Sequence, residues 1–165
     1  MRRLFPGLVF LVLAATPALA AEEEPAKGTL RLQADTIVFD RGKGEVHLTG
    51  KVRVVRTMGE QTVQIHCDKM QGEIEDGRLK NVEATGHVRL ETKDLTATGA
   101  RATFDFVKNV IHLFGTEDEW ATATSEGMKN RGREIIFHIE SQKVTLPKGG
   151  ETLIDTSKKP EEGGD

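Results

Sequence analysis

The sequence predicts an antiparallel all-β domain, built as a β-roll of stacked hairpins, and three observations predict it. Apolar and polar residues alternate with period two in run after run, the pattern of strands that bury one face. Turn chemistry separates the runs every ~8–12 residues, and no ten-residue segment carries a convincing helical period. The chain also repeats itself at an offset of 65 residues.

The N-terminus is taken first because it decides the compartment. Arg2 and Arg3 form a positive n-region, residues 8–15 (LVFLVLAA) a short apolar core, and Ala18-Leu19-Ala20 an A-x-A cleavage site before Ala21. Residues 1–20 therefore read as a secretory signal peptide. A retained membrane anchor is disfavoured because Pro6 and Pro17 interrupt an apolar stretch shorter than the ~20 residues a spanning helix needs. No cysteine follows the cleavage site, so a lipoprotein anchor is not expected, and Cys67 is alone, so no intramolecular disulfide is expected either. Loss of Arg2 and Arg3 changes 23 basic residues against 26 acidic to 21 against 26. A net charge near −5, aromatic content of 5% and no tyrosine argue against nucleic acid as a partner.

Residues 21–28 form a polar leader, and residues 29–154 carry the strand pattern. It is read in Leu30/Leu32/Ala34, Val46/Leu48, Val52/Val54, Val63/Ile65/Cys67, Val82/Ala84, Val88/Leu90, Phe104/Phe106, Ile111/Leu113, Ile135/Phe137/Ile139 and Val144/Leu146. Turns are expected at Asp40-Arg41-Gly42-Lys43-Gly44, Met58-Gly59-Glu60, Asp76-Gly77, Lys93-Asp94, Lys108-Asn109, Asn130-Arg131-Gly132 and Lys148-Gly149-Gly150. The tail, residues 155–165 (DTSKKPEEGGD), has no apolar residue and is expected to be disordered.

The repeat sharpens the architecture. Ile37-Val38-Phe39-Asp40 with Val46-His47-Leu48-Thr49-Gly50 returns as Ala102-Thr103-Phe104-Asp105 with Ile111-His112-Leu113-Phe114-Gly115. Weaker copies are Ile135-Ile136-Phe137 with Val144-Thr145-Leu146, and Cys67-Asp68-Lys69-Met70 with Val82-Glu83-Ala84-Thr85-Gly86. The unit is a hairpin with its return strands, stacked so that one interior runs the length of the molecule. Gly50, Gly86 and Gly115 lie on the apolar phase, where a missing side chain lets a long strand crease and serve two walls. The interior is lined by Val, Leu, Ile, Ala and Thr with few large aromatics. Such a lining suits an acyl chain, because each CH₂ taken from water contributes about 0.8 kcal/mol. A trough that closes on itself as a dry core satisfies the same composition.

Four segments then resemble a family: Leu30-Arg31-Leu32-Gln33-Ala34-Asp35, Gly44-Glu45-Val46-His47-Leu48-Thr49-Gly50-Lys51-Val52, Cys67-Asp68-Lys69-Met70, and Ala84-Thr85-Gly86-His87-Val88. Their order and spacing are similar to those of the LptA/OstA family, periplasmic proteins of lipopolysaccharide transport. The resemblance implies a V-shaped OstA-like β-jellyroll whose interior carries the acyl chains of lipid A. It also implies partners: lipopolysaccharide itself, LptC-like inner-membrane and LptD-like outer-membrane proteins, and further copies joined head to tail by edge strands. Family interior positions match Leu30, Leu32, Phe104 and Phe106, and the apolar phase adds Phe39, Leu48, Val52, Leu90, Leu113 and Phe137 as lipid-binding candidates. The segment Thr116-Glu117-Asp118-Glu119-Trp120 is more acidic than a strand at that place should be. An LptC-like periplasmic component shares the implied fold but keeps its anchor.

An open roll leaves unpaired edges near residues 29–34 and 143–153, which invite strand addition by another chain. No chemistry is needed for such a role, and none is expected: no enzyme, no cofactor and no metal. His47, His87 and His112 fall on polar phases without a ligand pair at metal spacing. The paired carboxylates Glu73/Glu75 and Glu117/Asp118/Glu119 lie in or beside turns. Cys67 continues the apolar phase of Val63 and Ile65 and reads as a small buried hydrophobe. Three readings stand: a lipopolysaccharide carrier and bridge, a structural β-roll adaptor without ligand, and a secreted carbohydrate-active jellyroll. The last lacks clustered carboxylates and sugar-stacking aromatics.

Overall fold

The structure, a computed structural model, describes residues 28–157. The predicted signal peptide lies outside the described residues, as do the leader up to Lys27 and the tail beyond Ser157. Among the described residues every regular element is a strand: β1 (Gly28–Gln33), β2 (Thr36–Asp40), β3 (Glu45–Met58), β4 (Gln61–Glu75), β5 (Arg78–Glu91), β6 (Leu95–Asp105), β7 (Val110–Phe114), β8 (Ala121–Ser125), β9 (Met128–Gly132), β10 (Glu134–His138), β11 (Lys143–Thr145) and β12 (Gly150–Ile154). All pairings are antiparallel within one sheet.

The register divides this sheet into two walls. β3 pairs with β2 through residues 45–49 and with β1 through residues 53–58, so one long strand faces two short ones on either side of a crease. Likewise β6 pairs with β7 through residues 101–105 and with β8 through residues 95–98. Beyond that point β10 and β11 extend the first wall while β9 and β12 extend the second. Eight creased layers result, β1/β2, β3, β4, β5, β6, β7/β8, β9/β10 and β11/β12. Their apolar faces form a single core cluster between the walls. Leu48, Ile65, Leu90, Ile111 and Ile135 are its largest fully buried members, each contributing about 1.5–3 kcal/mol over an exposed position.

The crease is made by bulges. In β3 the register slips between Thr49 and Val52, and in β5 between Thr85 and Val88. At both slips a glycine and its successor adopt positive φ: Gly50 (77°) with Lys51 (46°), and Gly86 (78°) with His87 (47°). An extra residue in one strand bends it and increases its twist. Gly115 departs from the prediction that three glycines crease the roll alike. It follows the end of β7 and has no positive φ, because here the chain leaves the sheet through the loop 116–120, tied by Thr116 to Glu119.

The 65-residue repeat has a visible cause in the turns. Asp40 accepts the amides of Gly42 and Lys43 on Oδ1, and Asp105 accepts those of Val107 and Lys108 in the same way. Each aspartate closes a hairpin at the outer tip of the first wall. The turn expected at Asn130-Arg131-Gly132 is a correction: those residues belong to β9, and the reversal occurs at Glu126-Gly127, with Gly127 at φ 68°. At Gly132 a Cβ would press on the end of the Leu146 side chain and come within 3.3 Å of the Glu134 and Gly149 carbonyls, so a small residue suits the position. Past β12 the Asp155 amide bonds the Gly127 carbonyl.

Candidate functional site

The interior faces of the strands form apolar rows that cross the stack. On the first wall one row runs Phe39, Val46, Gly72, Val82, Phe104, Ile111, Phe137 and Val144, each aligned with the next in the register. Of the ten residues expected to line a lipid trough, Leu48, Val52, Leu90, Phe104, Leu113 and Phe137 are buried in this core. Leu32 and Phe106 are half-buried against it. Leu30 and Phe39, in the first layer, stand 38% and 56% exposed although their strand phase points them inward.

That exposure follows from position. An inner layer is covered by neighbouring strands on both sides, whereas β1/β2 has a neighbour on one side only. Leu30, Ile37 and Phe39 therefore open the interior to solvent at the first end, and Ile154 does so at the last. Between these ends the walls mesh. The void lined by Arg56, Val63, Ile65, Phe104, Phe106, Ile111 and Ile139 holds only about 10 Å³, room for a single water at most.

Arg56 was missed by sequence reasoning, and the signal was present. It follows Val52 and Val54 on the interior phase of β3, where a charge is out of place. Its guanidinium lies 4.8 Å from the centroid of the Phe106 ring and donates through Nη2 to the Phe106 carbonyl at 3.4 Å, joining the two walls. Burial lowers its pKa, opposed by the nearby charge of Glu140.

The outer face of the first wall is polar. A depression of about 530 Å³ is lined by Glu45, Glu73, Glu83 and Asp105 together with His47 and His112. No group of three or more His, Cys, Asp or Glu with metal-holding geometry occurs among the described residues. Cys67 is buried, and burial next to Asp68 pushes its thiol up to about 11. At the crease His87 Nδ1 lies 2.8 Å from Asp68 Oδ2, and this hydrogen bond, with the carboxylate's charge, raises the imidazole pKa.

Beside that depression Glu134, with a side chain only 10% accessible, lies 3.0 Å from both His112 Nδ1 and Lys148 Nζ. The His112 hydrogen bond, assisted by Lys148 and opposed by burial, holds its carboxyl below the usual range. A depressed carboxyl contributes stability above its unfolded pKa and loses it as pH falls through the folded one. Glu134→Gln is thus expected to cost about 1–2 kcal/mol at neutral pH. In urea denaturation series the difference from the parent should shrink steadily below about pH 4; a cost unchanged with pH would show that the ionic contacts contribute nothing.

With two creased walls, an apolar interior and an open edge at each end, the sequence matches over residues 26–143 the family model described as LptA/(LptD N-terminal domain) LPS transport protein. The chain belongs to this family. The LptA-like fold is matched independently by the crystal structure of LptH, the LptA homologous periplasmic component of the conserved lipopolysaccharide transport device from Pseudomonas aeruginosa. The likeness has a TM-score of 0.63 at 20% identity and covers 79% of this chain and 97% of that one. No curated protein matches the sequence. Family membership agrees with the resemblance carried by residues 30–35, 44–52, 67–70 and 84–88.

Proposed function

We propose that this LptA-family chain is a periplasmic carrier of lipopolysaccharide that shields acyl chains between its walls, and that it bridges LptC-like and LptD-like partners through its open edges. The observation that supports it best is the inward-facing yet exposed Leu30, Ile37 and Phe39 at the first end of an otherwise buried apolar row. Such side chains serve a monomer poorly, and they extend the lining toward whatever docks there. Acyl chains then move between near-equivalent sites while the sugars stay in water. No bond is made or broken, and the driving energy comes from outside the chain.

One observation favours the adaptor reading: the void between the walls at Arg56, Phe104 and Ile139 holds only about 10 Å³. A guest in the middle of the stack requires the walls to part, so the ends are where loading begins. Phe104 is too deeply buried to test this by a charge, because Phe104→Asp would unfold the domain. Leu30→Asp and Phe39→Asp change side chains already in contact with water. The mature protein should bind fluorescent lipopolysaccharide saturably, and each variant should weaken binding about tenfold, the loss of some two buried CH₂ groups, at little change in melting temperature. Absence of saturable binding by the parent leaves only the adaptor.

A further inference from the structure

We infer that Arg56 recognises the acidic head of an amphiphile whose hydrocarbon enters between the walls. The inference rests on the carrier reading and names the chemistry that reading lacks. Arg56 Nη1 is fully shielded from solvent and has no hydrogen-bond partner. No carboxylate pairs with the guanidinium within ion-pair distance among the described residues. The acid whose charge it feels, Glu140, accepts instead from Asn109 Nδ2 at 2.6 Å. A desolvated donor left unsatisfied is costly, and a bidentate oxyanion is the partner whose geometry a guanidinium fits.

Its place in the fold suits a head group. Arg56 stands near the β3–β4 turn, at the outer tip of the second wall, and reaches Phe106 in the β6–β7 turn at the tip of the first. The two tips flank the mouth of the interior, where an acidic head would remain close to water. Directly inward lie Val63, Ile65, Phe104 and Ile111, which offer only hydrocarbon. In the first layer Leu30 is the register partner of Arg56, so the cation adjoins the exposed end through which loading begins. When an anion arrives, the weak 3.4 Å bond to the Phe106 carbonyl is the one it replaces. Arg56 is then both the clasp of the empty mouth and the contact that favours opening it for a charged lipid.

The test compares two competitors with the same oleoyl chain, lysophosphatidic acid and monooleoylglycerol, for displacement of the neutral probe N-phenylnaphthylamine from the mature protein. The parent should prefer the phosphate-bearing lipid about tenfold, one charge-assisted contact. Arg56→Met should bring that preference to within about twofold while leaving the affinity for monooleoylglycerol unchanged, and Arg56→Lys should keep part of it. Inorganic phosphate alone should displace nothing. A preference that survives in Arg56→Met overturns the assignment, and displacement by inorganic phosphate alone replaces it with a free-anion site. Should Arg56→Met fail to fold, an Arg56→Lys variant with no preference overturns it, and one with a partial preference supports it. If the probe and both lipids fail to bind the parent, the carrier reading itself falls and Arg56 is only a strap between the walls.

Discussion

Gly86→Ala is expected to destabilise the domain by about 2–4 kcal/mol, well beyond the ordinary cost of losing a glycine. Two effects combine. The residue sits at φ 78°, where an L side chain crowds its own backbone, and a Cβ built there would overlap the Asp68 carboxylate and lie 2.9 Å from the Asp68 Cβ. Gly77 provides the control, because it has a similar φ of 72° with nothing within 4 Å of its Cβ position. Gly77→Ala should cost only about 1 kcal/mol, the backbone part alone. Adding Asp68→Ala to Gly86→Ala should recover only part of the difference, because the Cβ that stays at residue 68 still lies 2.9 Å away and the His87 contact is lost. Urea denaturation midpoints of the four proteins decide it; equal costs at Gly77 and Gly86 would mean that the aspartate does not enforce the crease.

This pair explains why the crease was partly legible. Gly50 and Gly86 are each packed under an aspartate, Asp35 and Asp68, 33 residues apart, so glycine and acid recur together in the sequence. Glycine on the apolar phase of a strand announced a bend. It could not announce which bends are bulges, and the layer β7/β8 changes direction by leaving the sheet at residues 116–120. The acidity of that segment was the available warning. Strand β8, Ala-Thr-Ala-Thr-Ser, was missed because two buried alanines give a weak apolar phase, though Ala121 and Ala123 are fully buried. The turn misplaced onto β9 has the opposite cause: Asn130-Arg131-Gly132 looks like a reversal, but Asn130 is buried and accepts from the Thr152 hydroxyl across to β12 at 2.8 Å.

The lining itself was legible because alternation survives the bulges. Val46, Leu48, Val52 and Val54 all face inward across the slip at Gly50. Whether the interior is open was not legible, since an empty trough and a meshed core place the same residues on the same face. Leu30 and Phe39 were predicted by phase with the rest, yet phase says nothing about which layer is last. Only the pairing order, with β1/β2 and β11/β12 at opposite ends, makes the first of these an opening and Phe104 a core residue.

That pairing order also makes the edges testable by mixing. β1 and β2 pair only with β3, β11 only with β10 and β12 only with β9, so both end layers keep a free side among the described residues. Apolar side chains are exposed on each, Ile37 and Phe39 at one end, Leu153 and Ile154 at the other. If copies join first edge to last edge, the parent's mass in light scattering should rise with concentration without limit, as a heterologous interface that does not close must behave. Ile37→Lys with Phe39→Lys should block the first edge, and Leu153→Lys with Ile154→Lys the last, because lysines on an exposed strand oppose edge pairing. Each double variant alone should be monomeric. An equimolar mixture should form a one-to-one pair and stop there, since each component supplies the single edge the other retains. A last-edge variant that still self-associates would instead reveal a first-to-first, two-fold interface, and chains joined in that way close on themselves and cannot align their interiors into a longer path.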